Sequence, residues 1–80
     1  MRKTSSDFVS TLEDLFGVPA QSLREEDSRE TVAEWSSLAD VQMFALIKSD
    51  LGIEPDAEII EAETVGHLLQ ILRSRGAFHD

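Results

Sequence analysis

Two adjacent serines stand at the start of an apolar segment whose spacing is typical of an α-helix. Ser36 and Ser37 are followed at helical intervals by Leu38, Val41, Met43, Phe44, Leu46, Ile47 and Leu51. Serine is favoured at helix N-termini, because its hydroxyl oxygen accepts a hydrogen bond from a backbone N–H that has no partner within the helix. The pattern predicts a helix over residues 37–51 that begins with an exposed hydroxyl.

The residues around this segment delimit the helix and its chemistry. Asp40 lies three residues after Ser37, where a carboxylate suits a capping box and the positive end of the helix dipole. Gly52 suits the left-handed conformation just past a helix end, and Ile53 can pack back onto the last turn. A serine without a neighbouring base is not a self-activated nucleophile, so a reaction at Ser37 would need another enzyme.

Residues 35–41, Trp-Ser-Ser-Leu-Ala-Asp-Val, resemble the modification site of acyl carrier proteins, which commonly reads Trp-Asp-Ser-Leu before such a helix. The resemblance implies that Ser37 carries 4′-phosphopantetheine, attached covalently from coenzyme A. The recognised segment would then comprise Trp35, Ser36, Leu38, Asp40 and Val41. Ser36 stands where the family has aspartate, so this is a variant Ser-Ser-Leu site.

The replacement of aspartate by Ser36 keeps a helix cap and removes a negative charge. The resemblance implies that this charge helps the phosphopantetheinyl transferase to recognise the site. An exposed charge pair contributes no more than about 1 kcal/mol to binding, which is less than a tenfold change in affinity. Modification is therefore expected to be slowed, or restricted to a particular transferase, rather than abolished. Trp35 is expected to anchor the loop before the helix.

The rest of the chain also indicates helices. Phe8, Leu12, Leu15 and Phe16 form a stripe that predicts a helix over residues 6–16, ended by Gly17. A polar loop follows, with Leu23 and Val32 as its expected core anchors. A short helix is predicted over 56–61 and a last helix over 64–75. No strand pattern occurs, so the chain is predicted to be all-α, with three principal helices and one short helix. The resemblance implies that these helices form a four-helix acyl-carrier-like bundle.

Length and charge restrict the classes of function. Eighty residues form one expected domain, 1–80, without cysteine. A net charge of −9 argues against nucleic acid and anionic membranes and favours basic protein partners. Neither a membrane span nor a signal-peptide pattern is evident, which favours a soluble, cytoplasmic monomer. His67 and His79 lack partners at ligand spacing, so no metal site is expected.

The resemblance, taken with these patterns, implies a freestanding acyl carrier protein and not an enzyme. By resemblance it would hold an acyl group as a thioester on the arm at Ser37. Its expected partners are a phosphopantetheinyl transferase and the acyl-loading and acyl-using synthase enzymes of fatty-acid, polyketide or related biosynthesis. The alternative is a carrier-fold protein-interaction adaptor that is no longer phosphopantetheinylated and binds through its acidic flanks. That alternative is supported by Ser36 and by the weakly charged helix over 37–51.

Overall fold

A computed structural model describes residues 4–78, which form four helices joined by loops. They are α1 (Ser5–Phe16), α2 (Ser37–Leu51), α3 (Ala57–Ile60) and α4 (Val65–Ser74). These residues contain no strand, although an isolated antiparallel bridge joins Ser28 and Thr64. The predicted all-α class is confirmed, and each helix end lies within one residue of its expected position.

Each helix begins with a side-chain cap that accepts the N–H of the residue three positions later. The caps are Thr4, Ser36, Asp56 and Thr64. At α1, the Asp7 carboxylate also accepts the backbone N–H of Thr4, which completes a capping box. These caps satisfy N–H groups that have no acceptor inside the helix, and so fix where each helix starts.

The cap of α2 corrects one expectation from the sequence. Ser36 has extended backbone angles, φ −99° and ψ 179°, and its hydroxyl oxygen accepts the N–H of Ala39. Ser37 is already the first helical residue, so it does not cap, and no capping box forms between Ser37 and Asp40. The Asp40 carboxylate is instead bound by side chains of the preceding loop.

The C-terminal end of α2 has the geometry that the sequence predicts. Gly52 is left-handed, with φ +68°. Its N–H donates to the carbonyl of Lys48 at 3.1 Å, and the N–H of Ile53 donates to the carbonyl of Ile47 at 3.4 Å. Ile53 packs against the core as a partly buried residue. The helix is thus closed by a left-handed residue and a returning apolar side chain.

The four helices and the loop between α1 and α2 share one apolar core. Its members are Phe8, Leu12, Phe16, Leu23, Val32, Trp35, Ala39, Met43, Ile47, Ile59, Ala62, Val65, Leu68, Leu69, Ile71, Leu72 and Phe78. The radius of gyration is 11.4 Å, which is close to the value of about 12 Å expected for a folded chain of this length. Leu23 and Val32 are buried, so both predicted loop anchors are confirmed.

The loop between α1 and α2 is fastened to the start of α4. The N–H of Val65 donates to the carbonyl of Asp27 at 3.0 Å, and the N–H of Gly66 donates to that of Glu25 at 2.8 Å. A Cβ at Gly66 would lie 3.0 Å from the Cβ and 3.1 Å from the carbonyl oxygen of Glu25, so a larger residue would require the loop to shift. The sequence predicted a polar loop here, without these contacts to α4. The loop is ordered here because its carbonyls accept the free N–H groups of α4.

Glu13 secures the same loop from the other side. Its carboxylate is buried against the core, and Oε2 accepts the backbone N–H of Leu23 at 3.0 Å. A buried N–H without an acceptor would cost free energy, so this bond stabilises the turn after α1. The loop is thus held by α1 through Glu13 and by α4 through Gly66.

Arg75 joins the two ends of the α3–α4 unit. Its Nη2 lies 2.8 Å from Asp56 Oδ2 and 2.8 Å from Glu58 Oε1. The pKa of the Asp56 carboxyl lies below its ordinary value of 3.8, first because the Ile59 N–H donates to it and second because Arg75 does. The same two carboxylates raise the pKa of Arg75. The sequence placed Arg75 in the last turn of α4, whereas the structure places it just beyond that turn.

Candidate functional site

The N-terminus of α2 presents a serine hydroxyl to solvent. Ser37 is the first residue of the helix and is exposed. Its hydroxyl makes no hydrogen bond to any other residue within 4–78. Because Ser36 takes the capping role, Ser37 is not needed to satisfy the helix. An exposed, unengaged hydroxyl at a fixed helix end can be reached by another protein.

Within residues 4–78, no side chain that could act as a base is hydrogen-bonded to the Ser37 hydroxyl. The nearest carboxylate along α2 is Asp40, and both its oxygens are occupied. Oδ1 accepts Arg29 Nη2 and Trp35 Nε1, each at 2.7 Å, and Oδ2 accepts Arg29 Nη2 at 2.8 Å and Nε at 3.2 Å. A carboxylate engaged in this way is poorly placed to take a proton from serine. The carboxylate nearest to Ser37 along its own helix is therefore engaged in holding the preceding loop.

Trp35 fixes the path of the chain just before the two serines. Its side chain is buried and stacks on Phe16 of α1, with the ring centroids 5.3 Å apart and the planes at 26°. The guanidinium of Arg29 lies 5.1 Å from the centroid of the indole ring, a cation–π distance. The expectation that Trp35 anchors this loop is met, and its indole N–H finds a partner in Asp40.

Two large apolar side chains are exposed beside Ser37. Leu38 is 68% exposed and Val41 is 64% exposed. Residues three and four apart are neighbours on a helix surface, so Val41 adjoins both Ser37 and Leu38. The same helix buries Ala39, Met43 and Ile47 in the core. The apolar character of α2 therefore extends past its buried face to the surface around the serine.

The structure brings the six residues singled out in the sequence to one end of α2, in three different roles. Ser36 caps the helix, and Ser37, Leu38 and Val41 face solvent. Trp35 and Asp40 form a hydrogen-bonded cluster. The cluster has a third member, Arg29, which the sequence did not indicate. Arg29 and Asp40 are eleven residues apart, and no helical or strand spacing relates them. Arg29 is one of two arginines in a polar loop, and no pattern in the sequence distinguished it from Arg24.

The exposed acidic residues lie mainly outside α2. The loop before it contributes Glu25, Glu26, Glu30 and Glu34, and the segment after it contributes Glu54, Asp56, Glu58, Glu61 and Glu63. On α2, Asp40 is paired with Arg29, and Lys48 pairs with Glu54 at 3.1 Å. The surface around Ser37 is accordingly more apolar than acidic.

An open pocket of about 570 Å³ lies between α1, the following loop and α4, and it is not lined by Ser37. Residues 4–78 contain no group of three or more His, Asp or Glu residues that could hold a metal ion, and His79 lies outside them. Within the described part, none of the helices has the length and apolar character needed to cross a membrane.

No protein-family model, no curated protein and no solved structure matches this chain.

Proposed function

We propose that this protein is an acyl carrier protein whose Ser37 bears a 4′-phosphopantetheine arm. The observation that carries the proposal is the exposed Ser37 hydroxyl at the first position of a capped helix, flanked by exposed Leu38 and Val41. The all-α arrangement of residues 4–78 is compatible with a carrier bundle. The resemblance of residues 35–41 to the carrier modification site supplies the chemical identity of the modification.

The chain's own residues fit such an attachment. The Ser37 oxygen is free to attack a phosphorus of the coenzyme A pyrophosphate. The new Ser37 O–P bond replaces the bond to the nucleotide, which leaves as adenosine 3′,5′-bisphosphate, and the hydroxyl proton passes to a base on the transferase. Ser36 and Trp35 hold the helix end in place during docking. When bound, the arm supplies a terminal thiol that carries an acyl group as a thioester.

The partners that follow are a phosphopantetheinyl transferase and the enzymes that load and use the acyl group. These would belong to fatty-acid, polyketide or related biosynthesis. In this proposal the protein presents cargo and is not itself an enzyme, which is supported by the engagement of the Asp40 carboxylate with Arg29 and Trp35. A cytoplasmic location is consistent with the proposed supply of coenzyme A.

A second candidate is a protein-interaction adaptor that keeps the fold without the arm. Ser36 in place of the family's aspartate favours it, together with the exposed acidic segments on either side of α2. Such an adaptor would bind a basic protein surface and would not need the Ser37 hydroxyl. The two functions differ in one measurable property, which is covalent modification of Ser37.

The deciding experiment measures intact mass after incubation with coenzyme A, magnesium and a broad-specificity phosphopantetheinyl transferase. We expect wild type to gain one phosphopantetheine group, and Ser37→Ala to gain none while keeping the helical circular dichroism of wild type. Ser36→Asp should be modified faster, by no more than about tenfold, because it adds one surface charge beside the site. Failure of wild type and of Ser36→Asp to gain mass, while both remain folded, would favour the adaptor.

A further inference from the structure

The negative charge of Asp40 is paired with Arg29 of the same molecule at hydrogen-bond distance. Asp40 is the charged residue in the first eleven positions of α2, and it lies one turn from Ser37. Arg29 meets its carboxylate through two nitrogens, at 2.7 to 3.2 Å, and Trp35 adds a third donor at 2.7 Å. Such a two-pronged arginine–carboxylate contact is among the stronger and more directional surface ion pairs.

A compensated carboxylate has little effect on an approaching protein. The field of a close ion pair falls off faster than that of a single charge, and salt screens what remains. The net charge of −9 makes a basic face the expected complement on any partner. Near Ser37, however, that face meets uncharged Ser36, the Arg29–Asp40 pair, and the apolar Leu38 and Val41.

We propose that Arg29 is a specificity-determining residue for the modification of Ser37. By pairing with Asp40 it makes the surface of α2 beside the serine electrically neutral, so that the transferase contacts that surface through Leu38 and Val41 rather than through charge. This inference rests on the proposed carrier function. It assigns a role in partner choice to a loop residue whose side chain is hydrogen-bonded to Asp40 rather than to Ser37.

A purely structural role for Arg29 makes a different prediction. In that case Arg29 would serve only to hold Trp35 and the loop in place, and any substitution would slow modification at every salt concentration. The neutral-surface role depends on the charge of Arg29 and much less on its shape. Lysine keeps the charge but lacks the planar fork, so Arg29→Lys separates the two roles.

The test compares wild type with Arg29→Gln, Arg29→Lys, Asp40→Asn and the double variant Arg29→Gln/Asp40→Asn. A phosphopantetheinyl transferase with a basic carrier-binding face is the probe, with coenzyme A and magnesium. The value of kcat/KM is measured at about 50 mM and about 500 mM NaCl, where screening lengths differ about threefold. Thermal unfolding and Trp35 fluorescence report whether each variant keeps the fold and the loop.

We expect Arg29→Gln to raise kcat/KM about two- to fivefold at low salt, because it exposes the Asp40 charge to the basic face, and to have little effect at high salt. Asp40→Asn should lower kcat/KM by a similar factor, because it leaves Arg29 uncompensated. Arg29→Lys and the double variant should stay near wild type. Glu34 is exposed three residues before Ser37, but it is present in every variant and cancels in these ratios.

Two other results have distinct meanings. If Arg29→Gln and Arg29→Lys are both slower than wild type at both salt concentrations, Arg29 only holds the loop and the inference is wrong. An unchanged rate for Arg29→Gln at low salt overturns it as well. If wild type and Ser36→Asp are folded but neither is modified by any transferase, the carrier proposal itself fails, and this inference fails with it.

Discussion

Glu13 is a buried charged residue that holds the loop after α1 in place. It is only 3% exposed, and its Oε2 accepts the N–H of Leu23, ten residues away. Leu23 is itself a core residue, so this bond sets where the loop leaves α1. The contribution of Glu13 lies in its acceptor oxygen, since the partner is a neutral backbone N–H rather than a cation.

Replacing Glu13 should therefore separate the acceptor from the charge. Glu13→Ala leaves the buried Leu23 N–H without an acceptor, and we expect unfolding free energy to fall by about 1–3 kcal/mol. Glu13→Gln retains a side-chain oxygen at the same reach and should lose less than half as much. Urea unfolding followed by circular dichroism measures both. Equal losses in the two variants would mean that the charge of Glu13, and not its acceptor oxygen, stabilises the loop.

At the scale of the helix, α1 carries an acidic residue near each end. The two charges should have opposite effects on the free energy of unfolding. Asp7 lies in the first turn, where the free N–H groups make the helix end positive. Asp14 lies in the last turn, which contains no basic residue and whose free carbonyls are negative. Both side chains are exposed, so a change to asparagine at either position alters charge with little effect on packing.

We expect Asp14→Asn to raise unfolding free energy by about 0.3–1 kcal/mol at low salt, and Asp7→Asn to lower it by a similar amount. The substitution is identical in both variants, so intrinsic helix propensity does not explain a difference in sign. About 1 M NaCl should reduce both effects, because it screens charges across a few ångströms. Urea unfolding at the two salt concentrations is the measurement. Effects of the same sign would show that helix polarity is not their cause.

The helices could be predicted from the sequence because their determinants are local. Thr4, Gly17 and Gly52 act on backbone groups within a few residues, and helical spacing specifies the buried stripe of α1. The contacts of the long loop depend on residues that are far apart in the chain. Glu13 and its neighbour Asp14 are alike in the sequence, yet one is buried and the other exposed.

In the candidate site, too, only the local features could be predicted from the sequence. Residues 35–41 are contiguous, so their placement at one end of α2 followed from the helix itself. The pairing of Asp40 with Arg29 did not, because it requires the loop to fold back across eleven residues. The sequence therefore indicated which hydroxyl is presented, and the structure added how the charge beside it is compensated.

For the whole molecule, the contacts of Asp56 within the α3–α4 unit make part of the stability depend on pH in the acid range. Asp56 caps α3 and also pairs with Arg75 beyond the end of α4, and its pKa is lowered by the Ile59 N–H and then by Arg75. A carboxyl whose pKa is lower in the folded state stabilises that state above its unfolded pKa, here about 4. This stabilisation is lost as the pH falls through the lowered pKa, since protonation then occurs in both states.

Asp56→Asn tests this dependence directly. Asparagine still caps a helix, so the substitution removes mainly the charge facing Arg75. We expect wild type to have the higher thermal unfolding midpoint at about pH 7, with the difference from Asp56→Asn shrinking below about pH 4 and vanishing near pH 2. Glu61→Gln is the matched control. Glu61 is exposed at the other end of α3 and has no ion pair within residues 4–78, so its difference from wild type should show no such loss in acid.

Arg75→Gln extends the argument to the partner of Asp56. Removing the guanidinium takes away the second cause of the lowered Asp56 pKa and leaves the first, the N–H of Ile59. Wild type should therefore lose stability relative to Arg75→Gln over the same acid range, while Arg75→Gln keeps part of its own acid dependence. If the difference between wild type and Arg75→Gln stayed constant from neutral pH to about pH 2, Arg75 would hold the α3–α4 unit through packing and not through charge.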